Sequence, residues 1–284
     1  MSESGNAMVA APAHDLAPLP VPAGGWMPRV GLGVFRASPQ EAYAAVRAAL
    51  DVGYRHIDTA QIYRNEAAVG QAVRDSGLRR EEVFVTTKLW NDDQHPSRLQ
   101  ASVARSVEAL GLGAPDLFLL HWPVPGLRAG AWAALEDLQA AGVLRGIGVS
   151  NFMVRHLDEL LRQARVVPAV NQIEVHPFLQ QRAVRALCAV HGIVVQAYSP
   201  LSKGLRLAHP VVRGVAQALQ RSPAQVLLRW GLQHGLVVLP KSTRPARIAE
   251  NLMLEDFQLD AAQMAALDAL EENLVTGWNP QQVA

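Results

Sequence analysis

The chain has 284 residues, half of them hydrophobic, and 26 Lys and Arg stand against 25 Asp and Glu for a formal net charge of +1. That balance leaves no electrostatic footprint for a nucleic acid or an anionic membrane surface, so a small molecule is the expected partner and any anion must be recognised locally. The single cysteine, Cys188, excludes an internal disulfide framework and a multi-cysteine metal site and suits the reducing cytosol.

Residues 1–25 are rich in Ala and Pro, lack a basic start and are broken by prolines before any apolar run of signal length forms; a disordered tail is expected there. Residues 26–284 are expected to form one domain, and no run in them approaches the ~20 apolar residues that span a bilayer. From residue 30 onward, short apolar runs alternate with helix-period segments. The strand candidates are Val30 to Phe35, Tyr54 to Ala60, Val83 to Leu89, Leu117 to Trp122, Gly146 to Asn151, Ala169 to Val175, Val194 to Ser199 and Val237 to Ser242. Most are apolar throughout, as strands covered on both faces should be. The segments between them are one-sided: Ala42, Val46, Ala49 and Leu50 share a face before Gly53, as do Val184, Leu187 and Cys188 before Gly192. A last helix over Ala261 to Leu274 closes the outside, leaving Val275 to Ala284 as a short tail. Eight such β/α units predict a (β/α)8 TIM barrel, with its active site at the C-terminal ends of the strands. Asp58, Lys88, His121, Asn151, Gln172, Tyr198 and Lys241 each fall at or near the end of a different predicted strand, so seven polar residues are expected to converge on one rim.

Residues 53–70 read Gly-Tyr-Arg-His-Ile-Asp-Thr-Ala-Gln-Ile-Tyr-Arg-Asn-Glu-Ala-Ala-Val-Gly. Further along stand Thr87-Lys88-Leu89-Trp90, Leu120-His121-Trp122-Pro123, Gly148-Val149-Ser150-Asn151-Phe152, Asn171-Gln172-Ile173-Glu174, Tyr198-Ser199-Pro200-Leu201 and Pro240-Lys241-Ser242 with Arg247, Glu250 and Asn251. In this order the segments resemble those of the aldo-keto reductases, NADPH-dependent enzymes that reduce aldehydes and ketones to alcohols. The likeness covers about residues 26–260, and within the family the chain is most similar to the diketogluconate-reductase-like branch of bacteria. Reduction of a carbonyl needs a hydride donor and a proton donor, and a tyrosine with an ordinary pKa of ~10 is suited to neutral pH when a cation lowers that value. The resemblance makes Tyr63 the acid, with Lys88 favouring its ionised form, Asp58 holding Lys88, and His121 orienting the carbonyl oxygen. Taken alone, Asp58 and Lys88 also read as a structural ion pair, and His121 as a core histidine.

A Rossmann domain is not expected, because the Gly-rich dinucleotide motif has only near misses at Gly31, Gly33 and at Gly146, Gly148. The resemblance instead spreads NADPH over the barrel loops. Ser150, Asn151 and Gln172 would bind the nicotinamide carboxamide, Tyr198 would stack on its ring, and Ser199, Leu201 and Ser202 would border the pyrophosphate. Gly33, Val34 and Asp58 would complete these contacts. Ser and Asn between a strand and a helix are also ordinary N-caps, and Tyr198 could be plain core. Residues 241–251 leave a strand and open a helix with several cations and hydroxyls, which suits a phosphate. The resemblance assigns Lys241, Ser242 and Arg247 to the adenosine 2′-phosphate, with Glu250 and Asn251 near the adenine and Thr243 among the cofactor contacts; a solvated basic turn is the alternative. Phe35, Trp90 and Trp122, with His121, are expected to wall the substrate pocket. Many relatives carry tryptophan at position 35 and threonine at 34. The short loop after Pro123 and the short tail after Leu274 point to an open pocket for a small aldehyde, ketone or keto sugar. The expected protein is a cytosolic, monomeric reductase without a metal. Two alternatives remain at this stage: a metal-dependent barrel hydrolase using His56, Asp58, His121, Glu174 and His176, and a non-catalytic NADPH-binding sensor module.

Overall fold

The structure is a computed structural model that describes residues 16–21 and 25–284. A two-stranded hairpin, β1 (Leu19–Val21) and β2 (Gly25–Met27), precedes an eight-stranded parallel sheet. The sheet runs in chain order through β3 (Leu32–Gly33), β4 (His56–Asp58), β5 (Phe84–Leu89), β6 (Leu117–Leu120), β7 (Gly146–Ser150), β8 (Val170–Glu174), β9 (Val194–Tyr198) and β10 (Val237–Leu239). Parallel bridges between Val30 and Val238 and between Gly33 and Lys241 join its two edges, and the barrel closes. The expected (β/α)8 barrel is what forms.

Helices cover the outside: α1 (Pro39–Asp51), α2 (Glu66–Asp75), α3 (Pro96–Leu110), α4 (Arg128–Ala140), α5 (Val154–Leu161), α6 (Arg182–Val190), α7 (Pro210–Leu219), α8 (Pro223–Gln233), α9 (Pro245–Leu252) and α10 (Ala261–Asp268). Their starts follow local rules. In α1, Ser38 accepts from Glu41 N while Glu41 returns a bond to Ser38 N, with Pro39 at the first helical position. The strongly apolar face of α1 buries Ala42, Ala45, Val46, Ala49 and Leu50. Among the described residues no helix is long and apolar enough to cross a membrane.

Strand periodicity separates two cores. Val85, Leu89, Phe118 and Leu120 face outward into the helices, while Phe84, Leu117, Leu119, Val237 and Leu239 fill the barrel. The hairpin plugs the bottom of that interior with Val21 and Met27. Within the stretch expected to be a disordered tail, residues 19–21 and 25 are thus strand, because their alternate side chains have a barrel floor to cover; residues 1–15 lie outside the described residues. The near misses to a dinucleotide motif have a packing role: a Cβ at Gly31 would stand 2.7 Å from Leu239 Cδ2, and one at Gly148 would stand 2.7 Å from Leu119 Cδ2 and 2.8 Å from Val170 O. Strands are shorter than expected at the closing seam. Pro240 lacks an amide hydrogen and ends β10, and Val34 turns away with its carbonyl bonded to Ala37 N.

The largest departure lies at the C-terminus. The predicted helix from Ala261 stops at Asp268, and Glu272 N and Leu274 N bond to Phe178 O instead. The segment expected to be a tail is anchored: Arg128 Nη1 donates to Ala284 O at 2.7 Å, and Arg155 Nη2 to Gln281 O at 3.0 Å.

Gly70 of α2 lies against the C-terminal end of α3, where Arg74 Nη1 donates to Leu110 O at 2.6 Å. A Cβ there would stand 1.8 Å from Leu110 O, a backbone atom that cannot swing aside. Gly70→Ala is expected to destabilise by about 3 kcal/mol or more, the upper end for overpacking. Gly214→Ala in α7 meets nothing within 4 Å and is expected to stabilise by about 0.5–1 kcal/mol. Urea unfolding of the two variants checks both signs.

Candidate active site

Alternation along the strands stacks polar layers above the apolar filling. His56 and Thr86 pair at 3.2 Å inside the barrel, and one pleat further up Asp58 and Lys88 occupy the same positions. Lys88 is wholly buried; its Nζ donates to Asp58 Oδ1 at 2.6 Å and to Thr59 O at 2.8 Å. Asp58 Oδ2 accepts from Gln172 Nε2 at 2.7 Å, and the same nitrogen reaches Gln196 Oε1 at 2.8 Å. Both oxygens of the carboxylate are therefore held.

Tyr63 ends the one-turn 3-10 helix Gln61–Tyr63, between extended Ala60 and left-handed Arg64, φ 57°. Its ring lies 5.2 Å from Lys88 Nζ, 5.0 Å from the Phe35 ring and 5.8 Å from the His121 ring. Burial, with the charge of Asp58 and the Tyr198 phenol adding to it, pushes the Tyr63 phenol well above its ordinary pKa. The expected net lowering is not what this geometry produces, because burial outweighs the Lys88 ammonium, whose charge is partly offset by Asp58 at contact distance. Burial lowers Lys88 against the pull of Asp58, and burial with the nearby Lys88 charge drives His121 well below the usual imidazole value. His121 is thus a neutral ring at pH 7, and its buried Nδ1 has no hydrogen-bond partner among the described residues.

These groups open into one cavity of about 950 Å³. Phe35, Tyr63, Trp90, His121 and Trp122 line its inner end; Lys241, Ser242, Arg247, Glu250 and Asn251 line the other. Between them stand Gly33, Asp58, Ser150, Asn151, Gln172, Tyr198, Ser199 and Leu201. Asn151, in the left-handed region at φ 65°, accepts from Tyr198 OH at 2.8 Å and donates to His121 O at 2.9 Å and Ser150 Oγ at 3.1 Å. Ser150 in turn donates to Gln172 O at 2.9 Å. Four sequence candidates do not line the cavity. Val34 is buried with its amide on Asp58 O, Ser202 is buried with its hydroxyl on Leu201 O, and half-buried Thr243 is not part of the wall. Lys88 lies beneath the lining.

A family model described as the aldo/keto reductase family matches residues 23–272. The chain belongs to the aldo/keto reductase family. It is an oxidoreductase acting on carbonyl groups. It is similar to the glyoxal reductase of Bacillus subtilis (strain 168), 46% identical over 258 residues that cover 90% of this chain and 94% of that protein. It is also similar to the methylglyoxal reductase DkgA of Escherichia coli (strain K12), 43% identical over 263 residues, 91% and 95% of the two chains. Among solved structures, an aldo/keto reductase from Brucella melitensis superposes with a TM-score of 0.87 at 41% identity, covering 90% of this chain and 98% of that one.

In this aldo/keto reductase the five residues of the metal-site alternative do not gather at one point, although Glu174 and His176 meet. His56 sits between Pro28 O and Thr86, Asp58 is held by Lys88 and Gln172, and Glu174 is held by Thr276 and His176. Among the described residues no group of three or more His, Cys, Asp or Glu is placed to hold a metal. The C-terminal segment was missed as part of the site. Thr276 N donates to Glu174 Oε1 at 3.1 Å, Lys203 Nζ donates to Thr276 O at 2.5 Å, and Trp278 stands 6.0 Å from the Trp90 ring and 6.1 Å from the Trp122 ring. The mouth is therefore walled on a side expected to be open.

Removing one member of a buried ion pair leaves the other charge uncompensated, at a cost of about 3–5 kcal/mol. Asp58→Ala is expected to lose stability on that scale, and adding Lys88→Met is expected to recover most of it. Additive losses in urea unfolding would show that the two side chains are not coupled.

Proposed function

We propose that the protein reduces small aldehydes, ketones and α-dicarbonyl compounds to alcohols with NADPH in the cytosol. The observation that carries the reading is the placing of Tyr63 and His121 over the buried Lys88–Asp58 pair, at one end of a cavity whose other end presents Lys241 and Arg247. The names of the glyoxal and methylglyoxal reductases support the small-carbonyl class. When bound, NADPH supplies hydride to the carbonyl carbon.

The residues of the chain supply the rest. The oxygen of the carbonyl gathers negative charge as hydride arrives, and Tyr63 donates its phenolic proton to it. Its raised pKa keeps Tyr63 protonated through neutral and mildly alkaline pH. Neutral His121 offers a ring N–H to the same oxygen without competing as an acid. The Lys88 ammonium beneath the Tyr63 ring stabilises the phenolate left after transfer, and Asp58 keeps that ammonium charged. Asn151, Ser150 and Gln172 are cross-bonded before any ligand arrives, so the surface that receives the nicotinamide amide is already ordered, with Tyr198 fixed beside it. The 2′-phosphate end is different. Lys241 and Arg247 are exposed and make no ion pair among the described residues, Lys241 in the loop before α9 and Arg247 in its first turn, where the helix dipole also favours an anion. That set fits the group.

Tyr63→Phe is expected to lower turnover about 10²- to 10⁴-fold with NADPH affinity unchanged, and retention of more than half the wild-type rate would remove Tyr63 from the mechanism. The sign of its pKa shift places the alkaline loss of activity above pH ~10, because the acid is present until the phenol ionises. A Tyr63-dependent decline between pH 7 and 9 in the stable enzyme would contradict this.

Arg247→Ala is expected to weaken NADPH about ten- to a hundredfold, the scale of one charge-assisted hydrogen bond, and to leave NADH nearly unaffected. Fluorescence titration of both cofactors at two salt concentrations checks it. Equal losses would show that Arg247 supports the fold and does not read the phosphate.

A further inference from the structure

A polar network outside the cavity lining meets the first residue of the turn that carries Tyr63. Gln61 Oε1 accepts from Trp90 N at 2.8 Å, and its Nε2 donates to Ser102 Oγ and Ser106 Oγ, both at 2.9 Å, on the inner face of α3. Neither serine has a hydroxyl hydrogen to spare. Ser102 donates to Asp93 Oδ2 at 2.5 Å and Ser106 to Glu66 Oε2 at 3.3 Å, so both present only lone pairs to residue 61. The position thus demands an acceptor toward Trp90 and a double donor toward α3, a combination that only a side-chain amide provides. Tyr63 and Trp90 both pack on the His121 ring, at 5.8 and 5.2 Å.

We propose that Gln61 is a positioning residue for carbonyl reduction: its one amide ties the Tyr63 turn to the backbone of Trp90 and to α3, fixing the acid and the aromatic wall on either side of His121. This rests on the reading of Tyr63 as proton donor. Side chains that touch no reactant still set the distance over which a proton moves, and a misplacement of about 1 Å costs about 10²-fold.

The test compares Gln61→Met, which keeps the bulk and loses every bond, with Gln61→Glu. For Gln61→Met the expected result is kcat reduced roughly ten- to a hundredfold, NADPH affinity within about twofold of wild type, and faster hydrogen exchange at the Trp90 amide. The carboxyl introduced by Gln61→Glu faces Glu66 from α2 and Asp93 from the turn after β5, with Arg105 on Asp93 and Lys88 near Glu66. Two acidic neighbours favour its neutral form at mildly acidic pH. Neutral, it accepts from Trp90 N and donates to α3; ionised, it only accepts. Its kcat relative to wild type is therefore expected to recover as pH falls and to drop as pH rises, reversibly, which a purely structural role would not produce. This arm also decides the matter if Gln61→Met fails to fold. Turnover within twofold of wild type in either variant at alkaline pH, or a loss in Gln61→Glu that does not respond to pH, would overturn the proposal. Absence of carbonyl turnover in the wild-type protein would instead defeat the reading of Tyr63, and this proposal with it.

Discussion

A lysine ammonium with no access to water is tolerable only where an anion meets it, and the structure of the site follows from how Lys88 is met. Asp58 holds it through one oxygen; the other oxygen is held by Gln172, which is bonded to Gln196, whose Nε2 rests 2.9 Å from Met27 Sδ on the hairpin that plugs the barrel. A polar column thus runs through an otherwise apolar interior from the floor to the underside of Tyr63. Apolar residues of similar volume would fill the same space at equal or better stability. The column is therefore explained by what it does to the groups above it. The same burial that makes the pair expensive raises Tyr63 and lowers His121, so that both are neutral at the same pH.

The mouth of the cavity is built on another principle. Ser199, Ser202 and Lys203 all adopt left-handed backbone conformations, at φ 48°, 45° and 51°, without glycine. Such a turn persists only where surrounding bonds hold it. Lys203 supplies one by reaching Thr276 O, and Arg206 supplies another through its 2.7 Å pair with Glu272. The loop from Ser199 to Arg206 and the segment carrying Trp278 therefore support each other.

Residues at the inner rim were legible in the sequence because each interrupts an apolar strand with a polar side chain. Asp58, Lys88 and His121 follow inward-facing residues two positions earlier, and period-two alternation delivers them into the barrel whatever the helices do. Loop geometry has no such signal. Trp278 and Thr276 sit in a stretch with no period, and what fixes them is Glu174, about a hundred residues away, whose carboxylate needs donors once it is buried at the end of β8. The protonation of Tyr63 was misjudged for a related reason. A nearby cation is visible in the sequence, but its partial compensation by Asp58 and the depth of burial are properties of the packed barrel. Ser202 and Val34 show the limit of reading by position: both stand in the expected segments, yet the turn directs their side chains into the protein.

The two ends of the cavity differ in dryness, and the difference matches the work proposed for each. Around Tyr63 and His121 every charge is buried and compensated, which keeps the field on a reacting oxygen strong and fixed, since water would screen it and would reorganise during the reaction. At Lys241 and Arg247 the charges are exposed and in no ion pair among the described residues, so they cost little to leave without a ligand and attract an anion over a distance that salt can shorten. On the proposed reading, a phosphate bound there would need no exclusion of water, because binding and discrimination would require only a difference in contact between two cofactors. Proton delivery of the proposed kind requires a fixed geometry at the moment of transfer, which strand-borne Asp58 and Lys88 provide and Arg247, at the start of an exposed helix, does not need to.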